Sequence, residues 1–108
     1  MLNIYPVVLQ EIRRLRAVLT VIERKDRDLA RQLRRCAQSV GLNLAEGMYS
    51  RGRNRAAKYH VALGSAREML ACLELAEAFG YMRPISAAEL EVYNRIIGTL
   101  VRLVERAS

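Results

Sequence analysis

Thirteen cationic side chains stand within the first 58 residues of this 108-residue chain, and eleven of them are arginine. They come in three runs: Arg13, Arg14 and Arg16; then Arg24, Lys25, Arg27, Arg31, Arg34 and Arg35; then Arg51, Arg53, Arg55 and Lys58. A guanidinium is a planar fork of donors that matches phosphate oxygens, whereas a chain needing only solubility could use lysine equally well. The pattern therefore points to contact with a phosphate backbone, and all of these residues except Arg14 form the expected nucleic-acid surface. Only five acidic residues share that stretch, a balance of +8, while the rest of the chain carries five basic and six acidic residues, a balance of −1. The formal +7 and the pI of about 10.1 thus originate in the first half. The alternative is a solvated face laced by pairs such as Arg24 with Asp28 or Asp28 with Arg31, but acids are too few to pair most of the cations. Tyr49 is the sole aromatic residue close to the basic turn, so phosphate contact rather than base stacking is expected.

Other chemistry is sparse. His60 is the single histidine, and Cys36 and Cys72 form no CxxC pair, so neither a zinc site nor a di-iron site has its ligands. No phosphate-cradling glycine loop or nucleophile elbow occurs. No catalytic residue, metal or cofactor is expected, and the two cysteines sit at apolar positions as small hydrophobes. Ser39, Asn43 and Glu46 fall four and three residues apart on one helical face, and with Ser65 and Glu68 they are expected to form a structural polar cluster. Glu46 would cap a turn or pair with Arg67. The competing reading, an acid–base site on Glu46 and Ser39, lacks a nucleophile or metal partner.

Four helices must position these residues, over about 4–23, 27–47, 55–79 and 87–106, in a single domain covering 1–108. Tyr5, Val8, Ile12, Leu15, Leu19 and Ile22 make the apolar seam of the first. Asp26 is the expected N-cap of the second, whose inner face is Leu29, Leu33, Cys36, Val40 and Leu44. Two residues further on is about 200° around the helix, so Arg27, Arg31, Arg34 and Arg35 project outward. Gly47 or Gly52 is expected to end that helix in the left-handed conformation. The third helix carries Tyr59, Leu63, Ala66, Leu70 and Leu73, widened by Ala62, Met69 and Ala76, an arc broad enough for contacts on more than one side. Gly64, in its middle, costs about 1 kcal/mol against alanine and is read as a place of close backbone approach. Ser86 and Glu89 form a capping box at the start of the fourth helix.

The fourth helix shows two apolar seams. Leu90, Tyr93, Ile97, Leu100 and Val104 are assigned to the core. Val92, Ile96, Thr99 and Leu103 are assigned to an oligomer interface, because a small bundle buries one seam per helix. The expected fold is all-α, an antiparallel up-down four-helix bundle that assembles into a ring-like homo-oligomer. The apolar N-terminal run meets Glu11 and Arg13 before reaching spanning length, which sets the expected location as cytoplasmic and gives no membrane partner.

The stretch from Arg34 to Gly47 (RRCAQSVGLNLAEG), followed by Ala62 to Glu68 (ALGSARE) and Ala76 to Met82 (AEAFGYM), resembles the bacterial four-helix bundle family encoded in 23S ribosomal RNA intervening sequences. Asn43, Ala45, Glu46 and Gly47 match its strongest motif, and Gly64, Ser65 and Glu68 its second. Gly41 stands where that family usually has proline, and the turn before the third helix is about one residue shorter. The resemblance implies a homopentamer without enzymatic activity. It extends to the accessory variability determinant of diversity-generating retroelements, a basic pentamer that binds a reverse transcriptase and nucleic acid. The expected function is accordingly a non-enzymatic, homo-oligomeric bundle that binds RNA or DNA backbone electrostatically, as an accessory to a reverse transcriptase or another nucleic-acid enzyme. The alternative is a protein-interaction scaffold whose arginines dock an acidic partner.

Overall fold

In a computed structural model, which describes residues 2–107, four helices follow one another: α1 (Ile4–Lys25), α2 (Arg27–Met48), α3 (Gly52–Ala78) and α4 (Ala87–Ala107). Each packs against its sequence neighbours, and α1 closes on α4, giving the expected up-down bundle with long axis about 42 Å. The described residues contain no strand.

Local chemistry sets the helix ends. Asp26 accepts from the Leu29 backbone N–H at 2.9 Å, so a single non-helical residue suffices to separate α1 from α2. The capping box forms as read: Ser86 Oγ accepts from the Glu89 N–H, and Glu89 Oε1 accepts from the Ser86 N–H, both at 3.1 Å. Between α2 and α3 the link is shorter than expected. Gly52, at φ +56°, turns the chain at once, so α3 begins there and takes Arg53 and Arg55 into its first turns. Gly47 does not adopt positive φ; its place is set by the Tyr59 ring, which lies where a Cβ would stand.

The core is a column of Ile4, Val8, Leu15 and Ile22 from α1, Leu33, Val40 and Leu44 from α2, Tyr59, Met69 and Leu73 from α3, and Tyr93, Ile96 and Leu100 from α4. On α4 the division into two seams is corrected. The helix buries a single strip, Glu89, Tyr93, Ile96 and Leu100, at steps of four, three and four. Ile96 is 2% exposed and belongs to the core, not to an outer face, whereas Leu90, assigned to the core, is 41% exposed. Val92, Thr99 and Leu103 flank the strip half-buried. The sequence pattern offered both seams because isoleucine, valine and leucine lie on each side of the strip. Glu89 and Tyr93 decide between them, through partners on α1.

Those partners form a buried polar chain. Glu11, 3% exposed on the apolar seam of α1, accepts from Tyr93 Oη at 2.6 Å and from Arg14 Nε and Nη2 at 2.8 and 2.6 Å. Arg14 Nη1 continues to Glu89 at 2.7 Å, and Arg83 reaches Glu89 Oε1 at 2.6 Å. No buried side-chain polar atom among the described residues lacks a partner. The chain spans α1 and α4, the most thinly packed of the neighbouring helices, and fixes their register with directional bonds.

Candidate nucleic-acid interface

Up-down topology puts the α1–α2 turn and the α2–α3 turn at opposite ends of the bundle, separated by the length of α2, about 33 Å at 1.5 Å per residue. The cations that the sequence groups in one half are therefore divided into two poles. Arg24, Lys25, Arg27 and Arg31 gather at the first turn, and Arg51 and Arg53 at the second, all exposed.

The first pole extends along α1 and α2. Arg27, Arg31 and Arg34 sit at i, i+4 and i+7, about 5–6 Å apart on one exposed stripe, a row of guanidinium forks that can follow one strand of phosphates. Arg24 and Arg27 line a shallow concavity with Thr20 and Glu23. Arg34, with Gln38, rims an apolar groove between α1 and α2 floored by Ile12, Leu15, Leu19 and Ala37. Arg35 is exposed on the next row of α2, and Arg13 and Arg16 on α1.

Pairing with neighbouring acids is the alternative for such a surface, and no such ion pair forms among the described residues. Among the described residues, Arg16, Arg24, Lys25, Arg27, Arg31, Arg34 and Arg35 make no side-chain hydrogen bond or ion pair; the anticipated Arg24–Asp28 and Asp28–Arg31 pairs do not form. Arg13 donates only to Gln10, at 3.3 Å. Seven cations of α1 and α2 are thus exposed and unpaired among the described residues.

The structure withdraws some donors from the second pole. Arg55 is half-buried and donates to the Gly47 and Met48 carbonyls at 3.1 and 3.2 Å, closing the C-terminus of α2. Lys58 pairs with Glu46 at 2.6 Å. Glu46 thus pairs with Lys58 rather than Arg67, and its side chain is 52% exposed, outside any buried cluster. The polar cluster shrinks to Ser39, Asn43 and Ser65: Ser65 Oγ donates to Ser39 Oγ at 2.7 Å, and Asn43 Nδ2 donates to Ser39 O and Oγ. Glu68 is exposed and accepts from Gln32 Nε2 at 3.4 Å, with the Cys36 thiol 3.7 Å away. Burial, with Cys72 and Glu68 nearby, pushes the Cys36 thiol up to about 12, and burial raises Cys72 as well, so neither is poised as a nucleophile.

The chain of buried Glu11, Tyr93 and Glu89 with half-buried Arg14 and exposed Arg83 is not among the groupings singled out by sequence, where Arg14 stands in a basic run but outside the expected nucleic-acid surface. The signal was present. A carboxylate at position 11 interrupts the 4, 8, 15, 22 seam of α1, and a buried acid needs a donor within reach. Hydrogen bonding to Glu11 raises the Arg14 guanidinium pKa and holds that side chain in the protein.

The fold and this surface define a class, an up-down four-helix bundle with a strongly cationic α1–α2 face. Residues 8–102 match the family described as 23S rRNA-intervening sequence protein, and the chain belongs to that family. No curated protein and no solved structure matches it. No described helix is long and apolar enough to cross a membrane, and no group of three or more described His, Cys, Asp or Glu side chains could hold a metal ion.

Proposed function

We propose that this chain is a non-enzymatic, homo-oligomeric bundle that binds RNA or DNA through the phosphate backbone, along the stripe of Arg27, Arg31 and Arg34 with Arg16, Arg24, Lys25 and Arg35 around it. One observation carries the reading: seven exposed cations on α1 and α2 with no acidic partner among the described residues. Unpaired guanidinium groups have donors free for phosphate, and repetition of the surface in an oligomer turns weak contacts into avidity. Such a bundle would hold nucleic acid for a partner enzyme, a reverse transcriptase being the kind the resemblance suggests.

Filter binding of random-sequence RNA and duplex DNA across a salt series tests this. Affinity should fall steeply with salt, and Arg27→Glu/Arg31→Glu/Arg34→Glu should abolish binding at about 50 mM salt while leaving the helical signal intact. Salt-independent binding, or an unaffected triple variant, refutes it. A second reading, docking of an acidic helix from another protein, draws on the apolar groove under Arg34. There, Leu19→Asp should weaken the partner's binding and spare RNA binding.

A further inference from the structure

Phe79, the one phenylalanine of the chain, stands 64% exposed at the C-terminus of α3. Its ring stacks on that of Tyr81, with centroids 5.3 Å apart and planes 15° from parallel. The local backbone sets this geometry. Gly80, at φ +76°, ends α3 in the left-handed conformation; the Tyr81 N–H donates to the Ala76 carbonyl at 2.8 Å and the Gly80 N–H to the Glu77 carbonyl at 2.9 Å. The two rings are thus held on either side of a closed turn. Tyr81 is half-buried against the core and backs the Phe79 ring, whose remaining surface faces solvent.

The tertiary structure brings this pair to the first cationic pole. Ser39 meets Ser65 and Glu46 meets Lys58, contacts seven residues apart on each helix that fix one antiparallel register between α2 and α3. Fourteen residues beyond Ser65, the same register brings Phe79 level with Lys25, the last residue of α1. The Tyr81 hydroxyl faces the Asp26 carboxylate in that turn, and burial together with this charge raises its pKa. Met82 and Arg83 enclose an apolar recess with Ala17, Val18 and Val21 of α1. Arg24, one turn beyond Val21, lines the neighbouring concavity with Arg27. By sequence, Tyr49 is the sole aromatic side chain close to a basic turn; the fold sets Phe79 and Tyr81 beside the other one.

We infer that the Phe79–Tyr81 pair is a stacking platform for an unpaired base, which makes single-stranded RNA or DNA the ligand class of the first pole. The inference rests on the proposed function and narrows it. Every base has a π-face, so an exposed ring beside free cations holds a single strand without reading its sequence. A duplex keeps its bases stacked on one another and offers such a ring only its end pairs, whereas cations alone bind both forms. Arg24, Lys25 and Arg27 take phosphates next to the stacked base, and the stripe through Arg31 and Arg34 carries the strand along α2.

Fluorescence anisotropy with three labelled probes of about 20 nucleotides tests it: oligo-dT, an abasic strand with the same phosphates, and a duplex. At about 50 mM salt the wild-type chain should bind oligo-dT about tenfold more tightly than either other probe. Phe79→Ala should bring oligo-dT down to the affinity of the abasic strand and leave abasic and duplex binding within about twofold, and Phe79→Trp should keep the preference. Phe79 lies outside the core, so Phe79→Ala should retain the helical content, urea midpoint and oligomer mass of the wild type. Equal wild-type affinity for oligo-dT and either other probe, or an unaltered oligo-dT affinity in Phe79→Ala, overturns the platform; salt-dependent binding of all three probes would leave the phosphate reading standing. Loss of oligomer mass in Phe79→Ala overturns it too, because weaker binding would then reflect lost avidity. Failure of the wild type to bind any probe removes both readings together.

Discussion

Replacing Glu89 by glutamine tests whether the buried polar chain holds α4 to α1. The Glu89 carboxyl accepts from Arg83, from the Ser86 N–H and from Arg14, and with the Arg83 bond as the largest cause these hold it down at about 2 against an ordinary 4.5. At 1.36 kcal/mol per unit the depression corresponds to about 3 kcal/mol. The Arg83 end is 63% exposed and screened by solvent, so about 2 kcal/mol is the expected loss in Glu89→Gln at pH 7. The pH course follows from the sign of the shift. Above about 4.5 the carboxylate is ionised in both states and its stabilisation is fully present; between about 4.5 and 2 the unfolded chain takes up a proton that the folded chain does not, and the stabilisation is lost. Urea unfolding of wild type and variant between pH 7 and pH 2.5 should therefore show a gap of about 2 kcal/mol that narrows steadily below pH 4.5. A gap under about 0.5 kcal/mol at pH 7, or one of constant size down to pH 2.5, refutes this account.

Ile96→Ala removes a core side chain and should cost about 2–4 kcal/mol in urea unfolding; a loss below about 1 kcal/mol would return Ile96 to an outer face. With the Cys36 thiol pushed up to about 12 and Cys72 also raised, alkylation of the native chain at pH 8 should proceed only as fast as the protein opens. Labelling at the rate of an unstructured peptide would contradict the buried geometry.

Helix periodicity made much of the fold legible. The order of elements, the Asp26 cap and the Ser86–Glu89 box each depend on residues within a few positions of one another, and each appears as read. Where the reading went astray, the deciding partner lay far along the chain. Glu46 was expected to cap a turn or pair with Arg67, and the antiparallel run of α2 and α3 instead brings Lys58, assigned to the nucleic-acid surface, beside it. Val92 and Ile96 look alike in sequence, and the bond of Tyr93 to Glu11, 82 residues away, settles which side of α4 turns inward. The start of α3 shifted because Gly52 turns the chain in one residue, which composition alone does not disclose.

The candidate surface shows the same division. Eleven arginines and two lysines in the first 58 residues already set the sign of the charge and its chemical preference for phosphate. The separation into two poles came from the tertiary structure, because topology places successive turns at opposite ends of the bundle. The tertiary structure also tied half-buried Arg14 to Glu11 and Glu89 and drew Arg55 onto the end of α2, leaving the α1–α2 stripe unpaired. A sequence determines how many charges a chain has and which face of its own helix each lies on. Which of them meet a counter-charge depends on distances between helices, and only the packed bundle sets those.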